Sequence, residues 1–517
     1  MTLFRNPARA ARLGALLMIP VGLMVGCTDL KENPTSLITK DTFYKNNDEV
    51  VAGLASVYAS LRSDLDDLYS LNQVSSEETV VPVRGSDWFD NGFWLELHRQ
   101  GWTPSSVVGL GLVNGIWNSQ YAGVARANIV LEALDKVTIP NQAAIKAELR
   151  ALRALYYMNL MDVYGGVPVA TDTKVQERPA KTRAEVFTFV ETELKAARAD
   201  LPKVWAGQQG RVTQGAVDAM LASLYINARV WSGTPTATGI TLGAVKWTEA
   251  SAAADAVINS GTYTLSANYK DNFLPTNQGS TENIFVVRGK AVDGIGFNRQ
   301  YNALHYNSFP GGGWNGWSVV AETYTRFDAA DLRRSVVLVG PQFDLLNPTP
   351  TPVNDRSGNR LVFTVTIADI LSANEGEGAR LYKYPLDPAK AGNASGNDFA
   401  LYRLAEMYLI KAEAQNELGN PDVAVGLLNT FVRARAFSPA KPIALGQTQA
   451  AVRAVIFNER LFELLGESKR RQDQIREGTY TSGAWFGKTA APANKVILPI
   501  PQAQLNTNSL LKQNPGY

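Results

Sequence analysis

The sequence predicts a mainly α-helical protein: stacked helix pairs form a scaffold, and two irregular excursions with short strands leave it to build a ligand-binding face. Three observations predict this. Apolar residues recur at three- and four-residue steps in segments such as AIKAELRALRALYYMNLMDVYGG, where Ile145, Leu149, Leu152, Leu155, Tyr156 and Leu160 share one face. Turn signals follow closely on such segments. Gly419-Asn420-Pro421 offers a C′ glycine, an N-cap asparagine and a first-turn proline in succession, which marks a helix hairpin with a very short turn. Two regions, about 70–116 and 262–397, lose the helical period and are rich in Gly, Pro, Asn and aromatic residues.

Taken in order, the chain begins with a targeting segment. Residues 1–12 carry Arg5, Arg9 and Arg12 and no acid, and Leu13–Met24 is an apolar run broken only by small residues and Pro20. The run is far shorter than the roughly 18 to 20 residues of a spanning helix, so residues 1–26 read as a cleavable signal peptide. It ends at Cys27, the only cysteine in the chain. Leu23-Met24-Val25-Gly26-Cys27 resembles the lipobox of bacterial lipoproteins, with Met24 where leucine is usual. That resemblance makes Cys27 a lipidation site anchoring the chain in membrane lipid, residues 27–40 a tether and 41–517 a single body. The competing reading is a general secretory signal with an incidental cysteine.

Without residues 1–26, 50 basic against 48 acidic residues become 47 against 48. A nearly neutral body has no basic excess to grip phosphates, so nucleic acid is not expected as a partner. Helix pairs are expected from Trp117 to Asp135 with 145–163, from Arg183 to Asp200, and from Thr213 to Trp231 with Trp247 to Asn259. A further helix should run through Leu401, Leu404, Tyr408, Ile410 and Ala412. Frequent alanine lets paired helices approach closely, and the spacing is tetratricopeptide-like, without a strict repeat signature. In the excursions, IFVVRG and LVFTVTI read as short strands.

The most specific signal lies in the last part of the chain. RLAEMYLIKAEAQNELG, LLNTFVRARA, VIFNERLFELLGESKRRQD and ILPIPQAQLNTNSLLKQNPGY, in that order, resemble the closing motifs of the SusD/RagB family, and KENPTSLIT after Cys27 agrees with its N-terminal end. The resemblance implies a surface-exposed outer-membrane lipoprotein that captures nutrient, usually glycan, as the lid of a SusC-like TonB-dependent transporter. It implies binding without turnover, no catalytic residue and no cofactor. Within these motifs, Glu459, Arg460, Glu463, Glu467, Arg470, Arg471 and Asp473 fall at helical spacing; carboxylates flanked by arginines at three or four residues stay ionised, so an ion-paired structural helix is expected.

A sugar site needs a flat aromatic surface with polar groups at its edge. Two stretches offer this: RGSDWFDNGFWLELHRQGW (84–102), with Arg84, Trp88, Asn91 and Trp94, and YNALHYNSFPGGGWNGW (301–317), with Tyr301, Trp314, Asn315 and Trp317. These eight residues are the expected ligand contacts, against the alternative that the tryptophans are core. The only two histidines, His98 and His305, form no close metal-ligand pair, so no metal is expected. A secreted glycoside hydrolase using Glu96 or Glu322 remains a rival, as does a peptide-binding lipoprotein.

Overall fold

Residues 43–517 are described by a computed structural model of the chain. The signal peptide 1–26, the lipidation site Cys27 and the tether 27–40 lie outside the described residues. The helices that carry the scaffold are α1 (Asn47–Ser60), α2 (Asp67–Val74), α3 (Phe93–His98), α4 (Asn114–Ala133), α5 (Gln142–Tyr164), α6 (Arg183–Arg198), α7 (Gln214–Ile226), α8 (Trp247–Ile258), α9 (Leu404–Glu417), α10 (Pro421–Leu427), α11 (Gln449–Leu464) and α12 (Arg470–Glu477). From α4 to α10, each helix packs on the next, and α11 returns onto α9. The stack passes straight from α8 to α9 and so bypasses the second excursion, which is therefore an insertion into a continuous scaffold.

Sequence chemistry sets both the ends and the spacing of these helices. Thr182 and Glu185 form a capping box at the start of α6, and the Thr213 and Thr448 hydroxyls accept the first free N–H groups of α7 and α11. Gly419 takes the left-handed conformation (φ 88°) after α9, and Pro421 occupies the first turn of α10, as the GNP triplet predicts. Gly123 on α4 faces Tyr156 on α5 so closely that a Cβ would meet the ring at 2.5 Å. That contact holds the two helices at short range, and the Tyr156 hydroxyl donates to the Val57 carbonyl of α1 at 2.7 Å. Three helices are thus fixed around one side chain.

The structure differs from the sequence reading in four respects. Leu401 does not belong to a helix: Phe399–Arg403 is a strand, paired antiparallel with Asn283–Val287, and α9 begins at Leu404. Tertiary contacts override the helical period here, because Arg403 at the strand's end is drawn into a buried cluster of carboxylates. The first excursion is narrower than 70–116, since α2 runs to Val74 and a π turn at Gly109–Val113 leads into α4. Of LVFTVTI, only Val362–Phe363 is a strand, paired with Gly340–Pro341.

The fourth difference concerns the charge-dense segment of α11 and α12. It is buried and ion-paired as expected, and Asp473 pairs with Arg476 three residues on and with Arg460, but the glutamates take their partners from other elements. Glu463 is paired with Arg333, Arg403 and Arg435; Glu459 with Arg333 and Arg433; and Glu467 with Arg403 and Lys383. Arg470 and Arg471 reach Glu77 and Asp162, at the other end of the chain. Burial alone would raise the Glu463 carboxyl, yet the three guanidiniums of Arg435, Arg403 and Arg333 outweigh it and hold the group well below the usual carboxylate range. The cluster is a structural core.

Candidate functional site

The two tryptophan-bearing stretches, far apart in sequence, meet on one face. The Trp88 indole N–H donates to the Trp314 carbonyl at 2.7 Å, and the Trp88 ring lies on Gly316, where a Cβ would come within 2.2 Å of it. Only glycine allows this approach. Trp94 packs against Trp88 with ring centroids 5.5 Å apart and donates its N–H to Asp90 at 2.6 Å. Both indoles therefore spend their polar edges inside the loop, leaving ring faces as the remaining surface. Trp88 (φ 67°), Asn91 (φ 54°) and Asn315 (φ 51°) all adopt the left-handed conformation, which side chains other than glycine disfavour. This backbone, rather than the helical scaffold, aims the rings.

The eight expected contacts divide into two groups. Trp314 is 38% exposed, Trp88 and Trp94 are half-buried, and Asn91 is exposed, so these four lie where a ligand can reach them. The other four are enclosed. Trp317 is 5% exposed and stacks on Tyr69 at 5.9 Å; it belongs to the main core, on which Trp94 rests edge-on at 5.7 Å. Tyr301 is buried with Leu304, Phe309 and Leu386 and supports Trp314 from below at 5.9 Å. Asn315 accepts from Arg380 at 3.0 Å and donates to the Glu375 carbonyl at 3.2 Å. Arg84, 1% exposed, donates to the carbonyls of Asn374 and Glu377 and to the Ser318 hydroxyl. Burial pushes its guanidinium down to about 10. These four residues hold the face in place instead of presenting groups to a ligand, because each polar atom they could offer is already engaged or covered.

Two neighbours, Arg356 and Glu375, escape the sequence reading. Arg356 lies over the Tyr306 ring at 4.0 Å and is paired with Glu375, while the Tyr306 hydroxyl donates to Asp87. Glu375 also accepts from the His305 ring at 3.0 Å and from the Arg356 backbone at 3.0 Å. Burial opposes ionisation of Glu375, but its hydrogen bonds with Arg356 and His305 hold its carboxyl below the usual value. For His305 burial dominates, and the ring's affinity for a proton falls despite Glu375. Asp87 and Tyr306 sit inside the two tryptophan stretches, where a polar residue beside an aromatic is a usable signal. Arg356 and Glu375 have none: Arg356 is held in an Asx-type turn, in which the Asp355 carboxylate accepts from the backbone of Ser357 and Asn359.

The remaining candidates have structural partners. His98 bonds the carbonyls of Val74 and Phe486, and Trp102 donates to the Tyr517 hydroxyl at 2.9 Å, closing the NPGY terminus onto the body. Glu96 accepts from Ser106, and Glu322 from the Phe486 backbone at 2.9 Å. Among the described residues no group of three or more His, Cys, Asp or Glu side chains is placed to hold a metal ion.

Two family models match this chain: one described as "SusD family" at residues 366–517, and one described as "Starch-binding associating with outer membrane" at residues 43–226. The chain belongs to the SusD family. It is 26% identical to SusD-like protein P25 of Formosa agariphila over 94% of this chain and 96% of that one. It is 25% identical to the starch-binding protein SusD of Bacteroides thetaiotaomicron, covering 87% and 85% of the two chains. Among solved structures it resembles surface glycan-binding protein A of B. thetaiotaomicron in complex with laminarihexaose (TM-score 0.72, 22% identity, 92% of this chain and 100% of that one). A SusD-like protein of Bacteroides fragilis gives a TM-score of 0.75 at 20% identity, over 92% and 98%.

Proposed function

We propose that this protein captures oligosaccharide at the outer surface of the cell and passes it, as a lid, to a SusC-like TonB-dependent transporter. The convergence of Trp88, Trp94 and Trp314 on one face carries this reading: the indole N–H groups of Trp88 and Trp94 are used internally and Trp314 is exposed, so flat apolar surfaces remain for the axial C–H face of a sugar. Asp87, Asn91 and Arg356 lie beside them and supply the edge groups that sugar hydroxyls require. Relatives described as binding starch, laminarin or laminarihexaose favour a glucan as the ligand. The protein binds without turnover, is anchored by acylated Cys27 to outer-membrane lipid, and carries its body on the 27–40 tether.

Titration of purified protein with laminarin and starch oligosaccharides, beside a peptide library, tests the reading. Binding of a glucan that is abolished or weakened by Trp314→Ala, with no new reducing ends on prolonged incubation, is the expected result. Selective peptide binding, or release of shorter sugars dependent on Glu96, sinks it. For the anchor, Cys27→Ala should leave ligand binding intact and release the protein from membranes; normal uptake by the released protein would contradict the tethered-lid role.

A further inference from the structure

The stacking ring and the polar edge of the aromatic face are carried by two separate limbs. Trp314 and Asn315 belong to a turn whose backbone N–H groups donate to the carbonyls of Tyr301 and Leu304 at 2.7 and 2.8 Å. Arg356 is held by the side chain of Glu375, on the strap 374–378. A sugar that stacks on one limb and hydrogen-bonds with the other needs the two in fixed register, because hydrogen bonds weaken steeply with misplaced distance or angle.

One side chain touches both limbs. Arg380, fully buried, places one terminal guanidinium nitrogen 3.0 Å from the Asn315 side-chain oxygen and 3.0 Å from the Glu375 carbonyl. Its other terminal nitrogen meets the carbonyls of Glu377 and Gly378 and the Ser318 hydroxyl. Arg84 donates to that same Ser318 hydroxyl and Glu377 carbonyl, so two buried cations share acceptors, and neither has an ion pair among the described residues. Burial and the neighbouring Arg84 charge push the Arg380 guanidinium well below its ordinary range. Like charges buried together without a counter-ion cost stability, and arrangements of that kind are characteristic of functional sites.

We infer that Arg380 is a positioning residue of the binding face: its guanidinium fork locks the Trp314–Asn315 turn to the strap 374–378 and so sets the register between the Trp314 ring and Arg356. Lysine at this position would keep the charge, but its single nitrogen lacks the planar fork that reaches both limbs. The consequence for ligand binding rests on the glucan reading; the lock itself does not.

Near-ultraviolet circular dichroism of the ligand-free protein tests the lock. Arg380→Lys should reduce the tryptophan signal, and that reduction should largely vanish when the comparison is made in a Trp314→Phe background. Where Arg380→Lys fails to fold, Asn315→Gly carries the same test: glycine fits the left-handed backbone there (φ 51°), and the side chain gripped by Arg380 is gone. Titration with laminarin oligosaccharide tests the consequence. Arg380→Lys and Asn315→Gly should each weaken binding about tenfold, and the double variant should lose little more than either alone, as expected of directly coupled residues. A dichroism signal unchanged by both substitutions, a change that persists without Trp314, or fully additive losses of affinity would overturn the assignment. Absence of glucan binding by the wild type, with the dichroism change present, would refute the glucan reading and leave the lock supported.

Discussion

The ionic cluster around Glu463 and the aromatic face around Trp314 are both assembled from distant segments, and they treat their polar groups in opposite ways. In the cluster, Arg333, Arg403 and Arg435 surround carboxylates that are nearly free of solvent, and every charge meets its opposite. On the face, polar atoms are used sideways within the loops, and ring surfaces are left uncovered. The first arrangement is closed and has nothing to give a ligand. The second is stable only through what supports it, and so can vary at its surface. In this chain the closing sequence motifs therefore describe the closed cluster, while the aromatic face is carried by the loops.

The contrast predicts a graded set of outcomes. Arg403→Met removes the cation shared by Glu282, Glu463 and Glu467 and leaves those carboxylates buried without it, so a stability loss of about 3–5 kcal/mol is expected in urea titration. A loss under about 1 kcal/mol would mean that the cluster relaxes or admits water. Trp317→Ala should cost a comparable amount, about 3–5 kcal/mol, because the ring is packed on Tyr69 in the main core. If it instead weakens glucan binding at unchanged stability, Trp317 belongs with the exposed group.

Acid should separate the two regions next. Glu463 and Glu282 have carboxyls held below the ordinary value of 4.5, burial being outweighed by their arginines. The unfolded chain therefore binds more protons below that value, and the stability these groups contribute is complete above it and drains as pH falls. Urea midpoints measured between about pH 5 and pH 3 should decline in wild type and decline less steeply in Arg403→Met. The smallest effect is expected at the face: Trp314→Ala should leave the melting temperature nearly unchanged and cost about 1 kcal/mol of glucan affinity, roughly fivefold in Kd. Loss of the folded state would place Trp314 in the core with Trp317.

The scaffold was legible because its signals are local. Periodicity locates α5 to within a few residues of its ends, and Gly419-Asn420-Pro421 locates the α9–α10 turn. The two loops were legible as places where aromatic and polar residues concentrate. Which tryptophans face outward was not, since Trp88 and Trp317 differ in backbone conformation and neighbours, not in any local pattern. Likewise Arg84 and Asn315 have the right chemistry for a sugar site, and only the long-range carbonyls of residues 374–377 reveal that their groups are spent. The arginine partners of Glu463 were hidden for the same reason. Charge spacing within α11 suggested ion pairing but could not name residues from other elements.

The reach of that cluster also sets an order of events in time. Arg333, Arg403 and Arg435 all precede the carboxylate they share, and Glu77 and Asp162 wait for Arg470 and Arg471. During synthesis from the N-terminus, the early helices can pair locally, yet the ionic centre cannot close until α11 and α12 have been made. Long-range closure of this kind slows folding relative to local helix pairing.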